Sequence, residues 1–219
     1  ETYTGEAHVA QILRLLGELG MDGQQMHVVA HSMGGALAAL FAEKYDKVDN
    51  IVLLSPAGLM DLGPLKLVRK MKFLQGSIAS VLKKGQESAW RQDFIEKKGP
   101  IAEGCVQKLK EISQRNPKAF DAFFSCALVF PLSGLESTVQ SLKNKRVFIL
   151  WGEKDKAVPM KPSLKRWQKV LPSASVKTYP KSAHGFFMEL PSQVNADVLS
   201  FLTSSKTSIS GIRNTSLGA

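Results

Sequence analysis

Apolar positions along the chain fall into two patterns, short continuous runs and stripes at helical spacing. The runs that predict strands lie at 26–30, 51–54, 146–151 and, with more alternation, 175–179. The stripes that predict helices lie at 5–20, 34–45, 163–171 and 191–203. Strands with few polar residues, each followed by a helix, are typical of a parallel sheet covered on both faces. The pattern therefore predicts an α/β fold with a mostly parallel sheet flanked by helices.

The βα alternation stops after the second strand and resumes at the third. Residues 59–143 are rich in lysine and mostly helix-like, with helices expected at 101–115 and 117–129. Within this segment, 65–72 is basic and partly amphipathic. We therefore expect a helical cap inserted between two strands of the core.

The ends of the chain complete the expected domain organisation. Residues after 204 are rich in Ser, Thr and Gly and show no periodicity, which predicts a disordered tail at 206–219. The expected core is then formed by 1–58 together with 144–205, and the expected cap by 59–143.

Composition and charge narrow the function classes. The 219 residues are 44% hydrophobic, enough for a sizeable core, and carry a formal net charge of +10. The basic residues are spread along the chain without an aromatic-interleaved motif, so no nucleic-acid partner is expected. Cys105 and Cys126 lack metal-type spacing, and we expect free thiols and neither a metal nor a cofactor. No apolar run approaches the length of a transmembrane helix.

The strand at 26–30 runs into a small-residue turn that contains Ser32. A helix then begins within a few residues, and Gly34 and Gly35 allow it to lie close to the strand. A serine on such a strand-to-helix turn is typical of a nucleophile elbow. Ala30 takes the place of the first glycine of the G-x-S-x-G signature, so the motif is met in relaxed form. By itself it is equally compatible with an ordinary N-cap serine.

Two further chemical groups follow the third and fourth strands. Asp155 lies in the turn after 146–151, and His184 lies in the loop after 175–179. The carboxyl ends of parallel strands share one edge of a sheet, which is also the edge that carries Ser32. The chain order Ser, Asp, His is the order of one serine-hydrolase architecture. Glu153 is an alternative to Asp155, although its spacing from the strand end fits less well.

Other histidines compete with His184 for the role of base. His8 falls on a helix and His27 inside a strand, which favours structural roles. His31 directly precedes the serine, where it is expected to support the turn.

Three segments together resemble the α/β-hydrolases, and within them the capped lipase/esterase group that includes monoacylglycerol-lipase-like proteins. They are 30–35 (AHSMGG), 151–159 (WGEKDKAVP) and 183–187 (AHGFF). The resemblance implies that Ser32 attacks an acyl carbonyl, that His184 transfers its proton, and that Asp155 orients the imidazole. It also implies that the backbone N–H of Met33 contributes to the oxyanion hole.

The resemblance also implies strands, and a second oxyanion loop, upstream of the helix at 5–20. Without them the apolar strand 26–30 has no partner on one side, which is an exposed edge. We therefore expect the chain to be the C-terminal part of a longer hydrolase. The localisation favoured by this interpretation is cytoplasmic or membrane-associated.

The leading functional hypothesis is a serine hydrolase acting on a small-molecule carboxylic ester, such as a monoacylglycerol. A thioesterase or a related acyl-transfer chemistry would use the same three residues. A different class of hypothesis is a non-catalytic hydrolase fold that binds a membrane surface or a partner through the basic cap. Labelling by a serine-directed probe separates the catalytic hypotheses from the non-catalytic one.

Overall fold

The computed structural model describes residues 3–63, 65–71 and 75–204 of the chain. The strands are β1 (Met26–His31), β2 (Val48–Leu54), β3 (Arg146–Gly152) and β4 (Ser175–Tyr179). The helices of the two ends of the chain are α1 (Gly5–Glu18), α2 (Met33–Lys44), α8 (Met160–Val170), α9 (Phe186–Glu189) and α10 (Pro191–Thr203). Between β2 and β3 lie α3 (Leu65–Lys70), α4 (Gln75–Arg91), α5 (Pro100–Arg115), α6 (Ala119–Val129), α7 (Glu136–Gln140) and a short 3₁₀ helix (Ser141–Asn144).

Within the described residues the strands form one parallel sheet in the order β1-β2-β3-β4. Each strand is followed by helix, so the connections return to the same end of the sheet and the four carboxyl ends share one edge. This confirms the predicted fold class. It also places the residues after β1, β3 and β4 at that edge.

The core has two layers because neighbouring residues of a strand face opposite sides of the sheet. Ile51 and Leu53 of β2 lie in one apolar cluster with Trp167 of α8, whereas Val52 and Leu54 lie in the other with Phe201 of α10. Helices therefore cover both faces, and the middle strands β2 and β3 are almost entirely buried.

The first strand differs from the prediction in its burial. Its apolar run suggested a strand covered on both faces, but β1 alternates between partly buried and exposed residues. In the described part of the chain β1 pairs with β2 alone, and Val29 on it is 50% exposed. The exposed edge expected from the sequence is therefore present.

Residues 59–143 are mostly helical, as the pattern predicted. Their division from the core as a separate cap stays a prediction, and the tail predicted at 206–219 lies outside the described residues. Cys105 and Cys126 are free thiols, as expected.

Candidate active site

Ser32 occupies a strained turn between β1 and α2. Its backbone has φ 55° and ψ −121°, a conformation that a residue with a side chain rarely adopts. Its N–H donates to Leu54 O at 2.9 Å, and its carbonyl accepts from Gly35 N at 2.9 Å and Ala57 N at 2.8 Å. Such strain typically costs about 1–3 kcal/mol and persists because the surrounding bonds hold it. The sequence therefore correctly placed the sharp turn.

Gly34 and Gly35 have different surroundings. A Cβ atom on Gly35 would lie 2.8 Å from Pro56 Cα, so α2 can approach the loop after β2 only with glycine there. A Cβ on Gly34 would meet nothing closer than Ala30 Cβ at 3.7 Å. Gly35 is thus required by close contact, whereas Gly34 is not.

Met33 is the first residue of the twelve-residue helix α2. The first N–H groups of a helix have no acceptor inside the helix, and the helix dipole gives this end a partial positive charge. An oxyanion that forms beside Ser32 would face this N–H group.

Asp155 is held rigidly in the turn after β3. Its side chain is fully buried. Oδ1 accepts from Val158 N at 2.8 Å, and Oδ2 accepts from Trp151 Nε1 at 3.2 Å. These donors hold the carboxylate in one orientation.

His184 completes a buried pair with Asp155. Its Nδ1 donates to Asp155 Oδ2 at 2.7 Å, and its side chain is 6% exposed. A carboxylate only accepts hydrogen bonds, so the ring proton lies on Nδ1 and Nε2 is the basic nitrogen. This orientation is the one that a general base needs.

His31 connects this pair to the elbow. Its ring lies 4.5 Å from the His184 ring between centroids, and its Nε2 donates to the backbone carbonyl of His184 at 3.2 Å. Burial and the neighbouring His184 lower the pKa of His31 to about 4, so His31 is neutral near pH 7. Because His31 precedes Ser32, these contacts place His184 beside the serine turn.

The alternative carboxylate points elsewhere. Glu153 is exposed and accepts from Thr178 Oγ1 at 2.8 Å, whereas Asp155 bonds to the imidazole. The structure therefore favours Asp155, as the strand-end spacing did.

The remaining histidines have local partners. His8 Nδ1 lies 2.7 Å from the carbonyl of Thr4, at the N-terminus of its own helix. His27 Nδ1 lies 3.0 Å from Asn50 Nδ2, at the opposite end of β1 from Ser32. Both positions agree with the structural roles expected from the sequence.

A cavity of about 400 Å³ adjoins the part of this site that contains Asp155 and His184. It lies between α4, α6 and the turn that contains Asp155, and its walls are mainly apolar. The residues lining it are Gln86, Ala89, Trp90, Gln92, Asp93, Phe120, Phe123, Phe124, Lys156 and Ala157.

Sequence reasoning missed Asp93. It follows α4 in an irregular stretch without a motif, and the loop of His184 is some ninety residues further along the chain. Yet its backbone carbonyl accepts from Gly185 N at 2.6 Å, directly beside His184. Burial raises the pKa of its carboxyl above the ordinary value.

Two further properties bear on function. Among the described residues there is no group of His, Cys, Asp and Glu arranged to hold a metal ion. Of the helices in that part of the chain, none combines the length and apolarity needed to cross a membrane.

The chain matches the Alpha/beta hydrolase family over residues 1–197. A 2-hydroxy-6-oxo-6-phenylhexa-2,4-dienoate hydrolase from Burkholderia cepacia is 26% identical over 207 residues, which cover 90% of this chain and 69% of the relative. Lipase 1 from Psychrobacter immobilis is 25% identical over 178 residues, covering 80% of this chain and 54% of the lipase.

A solved structure supports the same assignment. MGS-M2, an alpha/beta hydrolase enzyme from a Medee basin deep-sea metagenome library, has a TM-score of 0.72 at 20% identity, covering 94% of this chain and 74% of that protein. The structural similarity shows a shared fold, and the family match shows common ancestry. The resemblance seen in the sequence is thus confirmed, and the chain belongs to the alpha/beta hydrolase family.

Proposed function

We propose that the protein is a serine hydrolase that cleaves a carboxylic ester, in the manner of a lipase or esterase, through an acyl-enzyme. The observation that carries the proposal is the arrangement at one edge of the sheet. Ser32 occupies a strained turn at a helix N-terminus, and the His184–Asp155 pair lies beside it through contacts with His31. Membership of a family with hydrolase relatives supports the same conclusion.

In the first step the Oγ of Ser32 attacks the ester carbonyl while its proton moves to Nε2 of His184. The new imidazolium donates through Nδ1 to Asp155, whose buried carboxylate stabilises the positive charge. The carbonyl oxygen becomes an oxyanion, to which the N–H of Met33 donates.

The intermediate then collapses as the bond from the acyl carbon to the alcohol oxygen breaks. His184 returns the proton to that oxygen, so the alcohol leaves neutral and the acyl group stays on Ser32. Water enters next, gives a proton to His184 and attacks the acyl carbon. The acid is released, and the proton returns to Ser32.

A second candidate is hydrolysis of a bond other than an ester. The relative from Burkholderia cepacia is named for a dienoate that bears a ketone and no ester. The same three residues would serve a reaction at such a ketone, since a nucleophile, a base and an oxyanion donor are needed there too. The relative's substrate carries a carboxylate, and this difference in charge makes the two candidates separable.

The exposed face of α3 supports the expected peripheral contact with a membrane. Lys66 and Lys70 are exposed there together with Leu67, which is 61% exposed. Arg69 instead turns inward and donates to the carbonyls of Leu128 and Phe130. We infer a weak contact with anionic lipid, tested by sedimentation with anionic vesicles at low and high salt. Binding that Leu67→Glu leaves unchanged contradicts it.

Pre-steady-state kinetics with neutral p-nitrophenyl esters tests the proposed function. An acyl-enzyme mechanism gives a burst of p-nitrophenol equal to the concentration of sites, followed by slower turnover. A series of acyl lengths then ranks the substrates. Failure of every ester, together with turnover of a ketone-bearing dienoate, replaces the first candidate by the second. Failure of both supports the non-catalytic alternative.

A further inference from the structure

The turn after α4 is fastened to the loop that carries His184. Gly185 N donates to Asp93 O at 2.6 Å, and a Cβ atom on Gly185 would lie 2.7 Å from the ring of Phe94. The two segments are therefore in direct contact, and glycine is needed for the close approach. This contact fixes the position of Asp93 relative to the proposed base.

The side chain of Asp93 lines the 400 Å³ cavity beside the site. In the described part of the chain its carboxyl makes neither a hydrogen bond nor an ion pair, although the residue is partly buried. A partly buried carboxylate that accepts no hydrogen bond from the described residues is available to a ligand that supplies a donor.

Gln86 presents a second unpartnered acceptor at the same cavity. Its Oε1 is buried and has no hydrogen-bond partner among the described residues. Buried polar atoms are normally satisfied, so this atom also lacks something that a ligand could supply. Two oxygen acceptors in a mainly apolar wall suit a ligand that donates hydrogen bonds.

Lys156 is the cation that lines this cavity, and it lies in the turn directly after Asp155. It is exposed, whereas Asp93 is partly buried. Solvent screens an exposed charge more strongly than a buried one, so the field inside the cavity is governed by the carboxylate. The cavity is consequently unfavourable for anions in spite of the positive net charge of the chain.

We propose that Asp93 and Gln86 form a subsite that binds a hydroxyl group of an uncharged, largely apolar substrate and excludes substrates that bear a carboxylate there. This subsite rests on the proposed function, because it assumes that the cavity receives part of the ester. It narrows the substrate class to neutral hydroxyl-bearing esters and separates the chain from its dienoate-acting relative.

Binding to the Ser32→Ala variant tests the subsite without turnover. The probes are two p-nitrophenyl esters of equal length, one ending in a hydroxymethyl group and the other in a carboxylate. Calorimetry at about pH 8, well above the ordinary pKa of a carboxyl group, should give about tenfold tighter binding of the hydroxymethyl ester. Adding Asp93→Asn should reduce this preference to less than about threefold, because the charge is removed while the shape is kept.

Two matched variants complete the test. Gln86→Leu should weaken binding of the hydroxymethyl ester and leave the carboxylate ester nearly unchanged. Lys156→Met should widen the preference, since it removes the cation that offsets Asp93. If Asp93→Asn fails to fold by circular dichroism, Asp93→Ser provides the same removal of charge.

The proposal is overturned by an unchanged preference in the Asp93 variant, by tighter binding of the carboxylate ester, or by no binding of either ester. These outcomes are distinct from failure of the proposed function. A cavity that discriminates in a protein without hydrolytic activity contradicts the mechanism alone, whereas an active hydrolase with an indifferent cavity contradicts the subsite alone.

Discussion

Ser32 and Ser55 are two serines in almost the same setting. Each follows a strand of the sheet, on the neighbouring strands β1 and β2, and each has a positive φ, 55° for Ser32 and 45° for Ser55. Ser32 is partly exposed, stands at the start of α2 and has His184 nearby. Ser55 is fully buried, and its hydroxyl has no partner among the described residues. Backbone strain at a strand end therefore does not make a nucleophile.

The segment after Ser55 has a supporting role instead. Ala57 N donates to the carbonyl of Ser32, and Pro56 lies against Gly35. The turn that follows β2 therefore packs against the turn that contains Ser32. The proposed reactivity requires access, a base and a helix N-terminus, and of these two serines only Ser32 has a partly exposed side chain at a helix N-terminus.

The largest difference between the two serines should appear in activity. Ser32→Ala should lower kcat by about 10⁴-fold or more, because the attacking oxygen is lost. Ser55→Ala should leave kcat within about twofold, since its hydroxyl touches no reacting group. Steady-state hydrolysis of a p-nitrophenyl ester measures both. Equal losses in the two variants contradict the distinction.

The base beside Ser32 should matter nearly as much. Asp155→Asn should lower kcat by about 10³–10⁴-fold, because the amide no longer holds the imidazole with its proton on Nδ1. Glu153→Gln is the matched control and should stay within about twofold, since Glu153 bonds to Thr178. A strong loss in the Glu153 variant with an active Asp155 variant would reverse the assignment.

The contact between the two turns should be visible in stability. Gly35→Ala should lower the free energy of unfolding by about 2 kcal/mol, since its Cβ would meet the Pro56 backbone. A Cβ on Gly34 makes only an ordinary van der Waals contact, so Gly34→Ala should change that free energy by less than about 1 kcal/mol. Urea denaturation of both variants gives the comparison, and similar effects would show that the close approach is unimportant.

His31 directly precedes Ser32, whereas Leu54 precedes Ser55. We expect His31 to make the free energy of unfolding depend on pH. Its pKa of about 4 in the folded chain lies below the ordinary 6.5, so the unfolded chain binds the proton first as the pH falls. The contribution of neutral His31 is therefore complete above pH 6.5 and is lost as the pH falls towards 4. His31→Gln keeps a donor for the His184 carbonyl and should flatten the dependence of the urea midpoint over this range. An unchanged slope contradicts a buried neutral His31.

The smallest expected effect concerns strain. Glycine tolerates positive φ, so Ser55→Gly should raise the free energy of unfolding by about 0.5–1 kcal/mol. Ser32→Gly should produce a similar gain, because its φ is positive as well. A gain at Ser32 and a loss at Ser55 would show that the buried serine has a packing role that its unpartnered hydroxyl does not reveal.

Much of the fold could be predicted because it follows from local patterns of apolar residues. The apolar runs placed β3 and β4 to within a residue, and helical stripes placed α1 and α10 with similar accuracy. The proposed site residues followed from chain order and from the rule that parallel strands end at one edge.

Long-range contacts and side-chain burial could not be predicted in the same way. Asp93 meets Gly185 across ninety residues without a motif at either position. Ser55 is fully buried and its N–H donates to Leu150 O, a contact between positions far apart in the chain. The sequence distinguishes Ser55 from Ser32 only by the residues around each serine. The exposure of Val29 likewise depends on the edge position of β1 in the described sheet, which cannot be predicted from the apolar pattern of the strand.

Labelling with a fluorophosphonate, followed by peptide mapping, tests the central claim most directly. The reagent modifies a serine that is accessible and activated by a base. We expect one adduct, on Ser32, that is absent from Ser32→Ala and strongly reduced in Asp155→Asn, with Ser55 unmodified throughout. Unlabelled native protein, or labelling that persists in Ser32→Ala, would contradict the assignment of Ser32 as the nucleophile.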